Sequence, residues 1–487
     1  MAPQRQLFSF CIFSVLSFST ITSGYGGTLP DNKPSTQRFA PMYSYKLGKS
    51  VPQEAGPERF SLHTLGSTLQ SKRMVTNPFH PIHNVSGARP STPAPISVDK
   101  FGAKGIDHTD DTKAFQKAWL EACSSNGAVV LLVPPHRSYF VKQFTFSGAQ
   151  CKSHITMQIH GTIMAFEDPK TYHFPNKSKQ QYWLTFERVQ NLVVEGPGTI
   201  NGNGEKWWQS SCKQNNITRT LVPNCNNDAP TAVTFKTCNN LTVHNLNFEK
   251  AQQKHVSFEN CTDVKASRLR INTSEASPNT DGIHVTETKN IDISMSRIST
   301  GDDCISIMGG SQNVYVANIA CGPGHGISIG SLGRGGSEDH VSDVTVFGSR
   351  LTGTMYGVRI KTWPGGSGYA TNITFQMIQM DNVTNPIIID QNYCDTATKV
   401  INGECKPPPL QKNTAVKVHN VMYQSINGTV SKDGQAIVFN CSSVPGGACE
   451  KIVLDDVRLE KGGAAVCSNV KPTYSRVDLP LNRCPNQ

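Results

Sequence analysis

Three ionisable residues in the middle of the chain share one spacing, and a fourth stands beside one of them. Asp281, Asp303 and His325 follow one another at intervals of 22 residues. Asp302 stands directly before Asp303. If 22 residues make one turn of a repeat, these side chains stack about 4.8 Å apart, the distance between neighbouring strands. Such a patch suits general acid/base chemistry, in which one carboxyl group gives a proton and another activates water.

Three neighbouring acids repel one another unless they share protons or hold a cation between them. We therefore expect one of Asp281, Asp302 and Asp303 to be kept protonated by the other two. Calcium is the alternative, because it prefers oxygen ligands, and it would indicate a lyase that removes a proton beside a uronate carboxyl group with Arg or Lys as base. The imidazole of His325 in the same column favours acid/base chemistry, since calcium has less need of it.

Two basic residues and a tyrosine follow the acids. Arg359 and Lys361 alternate with apolar neighbours, so both basic side chains are expected on the outer face of one strand. They lie one repeat after His325 and predict a site for an anionic substrate. Tyr393, one repeat further on, is the weakest candidate, because tyrosines at strand ends usually serve packing.

Short alternating triplets set the positions of all these residues. Their first residues are mostly 22 to 31 residues apart, and the first and last intervals, of 49 and 50 residues, are about double length. The triplets begin at Leu184, Val233, Val256, Ile283, Ile305, Ile327, Val358, Ile387 and Ile437. A period of this length is typical of a solenoid, and the leucine framework of leucine-rich repeats is absent. Alternating β-branched residues instead predict an all-β fold, a right-handed parallel β-helix.

One helix is predicted before the repeats. Asp110 and Asp111 precede a helical apolar pattern that runs over residues 112–122. We expect this helix to cap the N-terminal end of the β-helix. The Asp110–Asp111 pair is assigned to helix capping rather than to chemistry, because acids favour the start of a helix.

The N-terminus indicates export. Residues 1–24 combine Arg5, an apolar run and small residues, the order of a secretory signal peptide, and the run is too short to span a membrane. Residues 25–93 are rich in Pro and Ser without a sustained period, and we interpret them as an N-terminal extension. Residues 94–487 then form the β-helix catalytic domain, with no membrane association expected after the signal is removed.

The cysteines agree with an oxidising compartment. Cys11 leaves with the signal peptide, and 14 of the 15 cysteines remain. Local disulfides are predicted for Cys394 with Cys405, Cys441 with Cys449 and Cys467 with Cys484. No cysteine or histidine cluster has zinc spacing. Glycans are expected on some of ten Asn-x-Ser/Thr sites, at Asn84, Asn176, Asn216, Asn240, Asn260, Asn272, Asn372, Asn382, Asn427 and Asn440.

The charge balance leaves the partner open. Lys and Arg number 46 against 36 Asp and Glu, a net charge of +10. Such an excess suits an acidic partner, which could be nucleic acid, an anionic membrane or a polyanionic saccharide. The Gly and Pro content excludes a coiled coil, and the apolar middle of the chain excludes overall disorder.

Four motifs resemble those of the polygalacturonases, the glycosidases that hydrolyse pectin, in order and spacing. They are Asn279-Thr280-Asp281-Gly282, Gly301-Asp302-Asp303-Cys304, Gly324-His325-Gly326 and Arg359-Ile360-Lys361. The resemblance, to plant-type members, extends from residue 98 to the C-terminus. It implies a right-handed parallel β-helix that hydrolyses α-1,4-galacturonosyl bonds with inversion and needs no metal. Together with the predicted signal peptide, the resemblance leads us to expect a secreted, monomeric enzyme of the cell wall that uses no cofactor. The extension over residues 25–93 departs from the compact members.

The resemblance also implies a role for each acidic residue. Asp302 resembles the general acid of the family, and Asp281 with Asp303 resembles the pair that activates water. His325 resembles the histidine that supports protonation of the acid. Inversion rests on the resemblance alone, because coils about 4.8 Å apart lie nearer the 5–5.5 Å carboxyl separation of retaining glycosidases than the 6.5–9.5 Å of inverting ones.

The basic pair and the tyrosine take the substrate roles. Arg359 and Lys361 resemble the groups that bind the substrate carboxylate, and Tyr393 resembles the tyrosine near the cleavage subsite. Polygalacturonate thus becomes the expected partner, in place of nucleic acid or membrane. The alternatives are a calcium-dependent pectate lyase-like enzyme and a non-catalytic β-helix that binds acidic polysaccharide. Endo action is favoured only weakly over exo action, because it depends on loops that close the cleft.

Overall fold

The computed structural model describes residues 94–174, 180–211, 229–394, 413–447 and 449–479, together with residues 481 and 484. The predicted signal peptide over residues 1–24 and the extension over residues 25–93 lie outside them, so both stay predictions. Within the described part of the chain no helix is both long and apolar enough to cross a membrane.

Most of the described chain folds into short β-strands. The first sixteen are β1 (Ile96–Ser97), β2 (Gly127–Val133), β3 (Ser138–Val141), β4 (Phe144–Ser147), β5 (Ser153–Ile159), β6 (Thr162–Ala165), β7 (Tyr182–Glu187), β8 (Val193–Glu195), β9 (Thr199–Asn201), β10 (Thr231–Lys236), β11 (Asn239–His244), β12 (Asn247–Glu249), β13 (Val256–Glu259), β14 (Thr262–Ser267), β15 (Arg270–Asn272) and β16 (Ile283–Thr286). The next sixteen are β17 (Lys289–Ser294), β18 (Arg297–Ser299), β19 (Ile305–Ile307), β20 (Gln312–Ala317), β21 (Ala320–Cys321), β22 (Ile327–Leu332), β23 (Glu338–Phe347), β24 (Arg350–Thr352), β25 (Tyr356–Thr362), β26 (Ser367–Val383), β27 (Asn385–Asp390), β28 (Lys417–Val430), β29 (Ile437–Asn440), β30 (Glu450–Glu460), β31 (Val466–Ser468) and β32 (Thr473–Asp478). Helical segments are α1 (Thr112–Ser124), α2 (Glu205–Gln209) and three short 3-10 turns at Val98–Phe101, Pro169–Thr171 and Arg334–Gly336.

The strands stack into two sheets. The smaller sheet has eleven strands: β4, β7, β10, β13, β16, β19, β22, β25, β27, β29 and β31. The larger has 21 strands and contains two ladders, one through β11, β14, β17 and β20 and the other through β12, β15, β18 and β21. The chain visits the smaller sheet and then both ladders before it returns one coil further on, and successive coils pair in parallel. The predicted right-handed parallel β-helix is confirmed.

The nine triplets all lie in the smaller sheet, in one register. The first residue of each triplet pairs with the first residue of the next, from Leu184 through to Ile437. Leu184 therefore pairs directly with Val233, although 49 residues separate them. Each long interval is therefore one coil rather than two, because in the smaller sheet β7 pairs directly with β10 and β27 pairs directly with β29.

Aromatic rings fill the N-terminal part of the core, and α1 closes it. Phe146, Phe186, Phe235 and Phe258 stack from coil to coil, with ring centroids 4.4, 5.0 and 5.4 Å apart. Trp119 of α1 meets the end of this stack edge-on, 5.1 Å from the ring of Phe146. The predicted capping helix is thus confirmed, and it runs two residues further than expected, to Ser124.

The two acids before α1 have separate structural tasks. Asp110 accepts hydrogen bonds from the backbone N–H of Thr112 at 3.1 Å and from its hydroxyl at 2.5 Å. Asp111 accepts from the backbone N–H groups of Lys104 and Gly105 at 2.8 and 3.0 Å and so holds the preceding loop. The capping assignment therefore holds for Asp110, whereas Asp111 makes no capping hydrogen bond with its side chain and serves the preceding loop instead.

Disulfides tie neighbouring segments together. The described pairs are Cys123–Cys151, Cys304–Cys321, Cys441–Cys449 and Cys467–Cys484, so two of the three predicted bonds are confirmed. Cys394 is also disulfide-bonded, and Cys405 lies outside the described residues. Within the described chain, Cys238 and Cys261 are buried free thiols.

Candidate active site

The four ionisable residues come together beside the smaller sheet. Asp281 precedes β16, Asp302 and Asp303 precede β19, and His325 precedes β22, and these three strands are neighbours. Since the strands are parallel and in register, the segments that lead into them lie at the same end of the sheet. Consecutive coils thus place the column at one site.

Glycine at the corner between coils makes this column possible. Gly326 has a φ of +78°, and a Cβ there would overlap the main-chain oxygens of Tyr356 and Gly357 on the next coil. Only glycine meets both conditions without strain. Its role beside His325 is the close approach of two coils.

Asp302 and His325 form the most accessible part of the site. The Nδ1 atom of His325 lies 3.2 Å from the Oδ1 atom of Asp302, and their side chains are 30% and 20% exposed. Ligand atoms of Asp302, Asp303 and His325 all lie within 4.8 Å of one another. Asp302 is therefore the carboxyl group of this cluster that a large substrate could reach most readily, since Asp303 is only 2% exposed.

The charge state of Asp302 differs from the sequence expectation. Burial and the nearby charge of Asp281 raise the pKa of Asp302, as expected for clustered acids, but His325 and Lys361 outweigh them. The pKa of Asp302 in the substrate-free site is consequently below its ordinary value. In this site His325 therefore opposes protonation of Asp302, contrary to the supporting role that the family resemblance implies. The expectation that acids alone keep one carboxyl group protonated therefore needs correction, because it left out the cations that the fold brings to the same place.

Asp303 is enclosed by cations. Its Oδ1 accepts from Arg359 at 2.8 Å and from the hydroxyl of Ser328 at 2.7 Å. Its Oδ2 accepts from the ammonium group of Lys361 at 2.8 Å. Arg359 and Lys361 are only 6% and 7% exposed, so these ion pairs are buried. The two basic side chains project from the outer face of β25, as predicted. In this substrate-free site they bind Asp303.

Aromatic rings hold the basic pair from the side. The guanidinium carbon of Arg359 lies 3.9 Å from the ring centroid of Tyr356, a cation–π contact. The ammonium group of Lys361 lies 5.4 Å from the ring of Tyr393, which also packs against Trp363 with centroids 5.5 Å apart. Tyr393 therefore belongs to the surroundings of the basic pair, as its position after β27 suggested.

Asp281 has a different set of partners. Its Oδ2 accepts a hydrogen bond of 2.6 Å from the hydroxyl of Ser306, whose oxygen lies 2.8 Å from Nδ1 of His284. Burial and the charge of Asp303 raise the pKa of Asp281, but His284 and Lys254 outweigh them and hold that pKa below its ordinary value. The site thus favours an ionised Asp281.

The sequence analysis did not single out several of these partners. His284, Ser306 and Ser328 are the middle residues of three consecutive triplets and pair in register along the sheet. The same alternation that brought out Arg359 would have found them, because the middle residue of each triplet leaves the core. Tyr356 carried no comparable signal.

The donor set bears on the metal alternative. Asp302, Asp303 and His325 are close enough together to hold an ion. A divalent cation at Asp303 would have to displace Arg359 and Lys361 or lie beside their charges, which repel it. These contacts favour proton transfer over calcium binding at this site.

Comparison with known proteins agrees with this geometry. The sequence profile of glycosyl hydrolases family 28 matches residues 123–477. A polygalacturonase of Malus domestica is 51% identical over 497 aligned positions, which cover 99% of this chain and 100% of the relative. Polygalacturonase-2 of Solanum lycopersicum is 50% identical over 379 positions, 77% of this chain and 78% of the relative.

Solved structures share the fold. An exopolygalacturonase of Thermotoga maritima superposes with a TM-score of 0.65 at 20% identity, over 80% of this chain and 92% of that one. An endo-xylogalacturonan hydrolase of Aspergillus tubingensis gives a TM-score of 0.64 at 21% identity, over 79% of this chain and 100% of that one. The profile match and the close relatives establish that this chain is a glycoside hydrolase and belongs to family 28 of the glycosyl hydrolases.

Proposed function

We propose that this protein is a polygalacturonase that hydrolyses the α-1,4-galacturonosyl bonds of homogalacturonan, the acidic backbone of pectin. The observation that carries the proposal is the partly exposed Asp302 beside two buried carboxylates and a buried Arg–Lys pair. Close relatives named polygalacturonase support it. The combination provides an acid, a base and cations for an anionic sugar in one cleft.

The proposed reaction uses one water molecule and no cofactor. Asp302 gives its proton to the glycosidic oxygen as the bond between that oxygen and C1 breaks. Asp281 and Asp303 hold the water on the opposite face of the sugar, and its oxygen bonds to C1 while a carboxylate takes its proton. The product sugar then has the inverted anomeric configuration.

Substrate binding helps to protonate Asp302 in this scheme. Lys361 lowers the pKa of Asp302 in the free site. A galacturonate carboxylate bound near Arg359 and Lys361 adds negative charge there, which offsets this effect and raises the pKa of Asp302. The enzyme thereby gains its acid form when an anionic substrate is present, and Tyr393 beside Lys361 borders the same subsite.

We propose further that the protein is exported to the cell wall, acts as a monomer and carries glycans on some of its sequons. The signal-like N-terminus, the disulfides and the relatives support this setting. The net charge of +10 favours approach to an anionic wall polymer.

Digestion of polygalacturonate with EDTA present separates hydrolase from lyase. We expect new reducing ends without an ultraviolet-absorbing unsaturated product. A chromophore that depends on added calcium would overturn the proposal in favour of a lyase. Product sizing over time then distinguishes endo action, which gives a spread of oligomers, from exo action, which gives monomer.

The Asp302→Asn variant separates an enzyme from a polysaccharide-binding protein. Asparagine keeps the shape but has no proton to give, so we expect turnover to fall by about 10²–10⁴-fold with polygalacturonate binding retained. A binding protein would show no turnover in either form. Proton NMR of the first-formed product tests inversion, and a retained anomer would contradict it.

A further inference from the structure

A continuous chain of polar contacts connects Asp281 to Lys254 through Ser306 and His284. The hydroxyl of Ser306 lies 2.6 Å from Oδ2 of Asp281, and Nδ1 of His284 lies 2.8 Å from that hydroxyl. The ammonium group of Lys254 lies 3.3 Å from Nε2 of His284. Ser306 and His284 are 2% and 7% exposed, so water has little access to these contacts.

The direction of each hydrogen bond follows from the end groups. An ammonium group can only donate, so Nε2 of His284 must accept from Lys254. The ring proton of a neutral His284 is then on Nδ1 and donates to the oxygen of Ser306. The Ser306 hydroxyl must in turn donate to Asp281, because an ionised carboxylate can only accept.

The hydroxyl is needed as the bridge. Nδ1 of His284 lies 3.8 Å from Oδ2 of Asp281, too far for a direct hydrogen bond. Burial and the charge of Lys254 lower the pKa of His284, which agrees with a neutral ring. Ser306 therefore transmits the polarity of the ring to the carboxylate.

We propose that Ser306 and His284, oriented by Lys254, form a positioning chain for the catalytic base. The chain stabilises the ionised form of Asp281 and fixes its rotamer, so that the oxygen not held by Ser306 takes the proton of the attacking water. This inference rests on the proposed function, which makes Asp281 a water-activating residue.

The surroundings of Asp303 support this assignment. Both of its oxygens already accept from cationic groups, Arg359 and Lys361. Protonation of a carboxylate held in this way loses two buried ion pairs, whereas Asp281 is held by a hydroxyl dipole. Asp281 is thus the carboxylate of the pair that can change its charge during the reaction.

Other titratable groups act on Asp281 or on its partner His284. Asp302 and Asp303 from the next coil and Lys254 interact with Asp281 through their charges. Glu259 acts on His284, and His255 comes from the preceding coil. His255 approaches the backbone oxygen of Asp281 at 3.1 Å, and burial lowers its pKa to about 4, so it adds a neutral contact. Each of these groups stays in place when Ser306 alone is changed.

The Ser306→Ala variant removes the bridge and tests the chain. We expect kcat to fall by about 10- to 100-fold, the effect of one hydrogen bond to a charged group, with KM within about twofold. Without its donor the pKa of Asp281 rises, so the acidic limb of kcat/KM against pH moves to higher pH by about one unit. Ser306→Thr keeps a hydroxyl and should restore most of both properties.

Two further variants complete the design. Ser257→Ala is the matched control, because Ser257 lies one coil before His284 in the same register and donates to Glu259 at 2.9 Å, away from Asp281. We expect Ser257→Ala to leave the acidic limb of kcat/KM against pH at its wild-type position. His284→Phe keeps a ring but no donor, and it should move the limb in the same direction as Ser306→Ala, which keeps the test valid if that variant folds poorly.

The outcomes separate this inference from the proposed function. If Asp281→Asn keeps wild-type turnover on polygalacturonate, the base assignment is wrong and the chain has no catalytic role. If Asp281→Asn is inactive but Ser306→Ala and His284→Phe keep the wild-type acidic limb, the base assignment stands and the positioning chain is overturned. An equal shift in Ser257→Ala would also overturn it.

Discussion

Asp281 and Asp303, the two carboxylates that flank the proposed water site, each have a serine hydroxyl as a hydrogen-bond donor. Each accepts a hydrogen bond from a serine 25 residues further along the chain, Ser306 at 2.6 Å and Ser328 at 2.7 Å. The two serines pair in register on β19 and β22. The repeat of the β-helix has thus placed the same contact on two successive coils.

The second contacts differ. Ser306, which bonds Asp281, is contacted in turn by Nδ1 of His284. Ser328, which bonds Asp303, instead accepts a hydrogen bond of 3.1 Å from Arg359, and Arg359 also bonds the carboxylate of Asp303. Lys361 completes the enclosure of Asp303. Asp281 is therefore contacted directly by a hydroxyl dipole, with the charge of Lys254 further along the chain of contacts, whereas Asp303 is contacted directly by full charges.

This difference shows how a repeat can separate two chemically identical residues. A carboxylate paired with buried cations is expensive to neutralise and suits a fixed electrostatic and positioning role. A carboxylate held by neutral dipoles can take up a proton at lower cost. The same side chain thus acquires two functions from the residues that the neighbouring coils supply.

Neutral amides at the two positions provide the largest test of this comparison. Asp281→Asn and Asp303→Asn should each lower kcat on polygalacturonate by about 10²–10⁴-fold, because in the proposed reaction both carboxylates contact the water. Only Asp303→Asn leaves two buried cations unpaired, so its free energy of unfolding should fall by about 3 kcal/mol against less than about 1 kcal/mol for Asp281→Asn. Urea unfolding measures both, and equal losses would contradict the distinction.

A smaller effect is expected when one cation is removed. Arg359→Met leaves Asp303 with Lys361 alone and should lower the free energy of unfolding by about 2 kcal/mol. Arg350→Met is the matched control, since the ion pair of Arg350 with Asp381 is 58% and 44% exposed, and its loss should cost less than about 0.5 kcal/mol. Similar values for both arginines would show that burial adds nothing to the Asp303 pair.

The smallest expected effect concerns Asp302, the proposed general acid near Asp281 and Asp303. His325 lowers the pKa of Asp302 through its hydrogen bond and charge, so His325→Gln should raise that pKa. Because Asp302 acts in its protonated form in the proposed reaction, the basic limb of kcat/KM should move to higher pH by about one unit, while kcat falls. A pH profile on polygalacturonate measures the shift, and a basic limb that moves to lower pH would show that His325 instead supports protonation of Asp302, as the family resemblance implies.

The register of the smaller sheet could be predicted from the sequence because it depends on local features. Alternation of apolar and polar residues decides which side chains enter the core, and the interval between triplets decides which residues become neighbours. The neighbours Asp281, Asp303 and His325 follow from those two facts. The direct pairing of Leu184 with Val233 did not, because an interval of 49 residues resembles two repeats of the ordinary length.

The partners within the site could not be predicted in the same way. The outward direction of Arg359 and Lys361 was correct, but their contact with Asp303 depends on side chains more than 50 residues apart meeting within 3 Å. The lowered pKa of Asp302 follows from those contacts, and the sequence reasoning had considered only the repulsion among acids. The serines and His284 were present in the triplets but had no visible purpose until their neighbours were known.

By itself, then, the sequence determined the repeat, the β-helix, the column of acids and the family resemblance, because these depend on residue type and spacing along the chain. The tertiary structure alone decided which carboxylate received the cations and which received the dipoles. Electrostatic interactions change steeply over a few ångströms in a buried site, so that choice depends on atomic positions contributed by several coils at once.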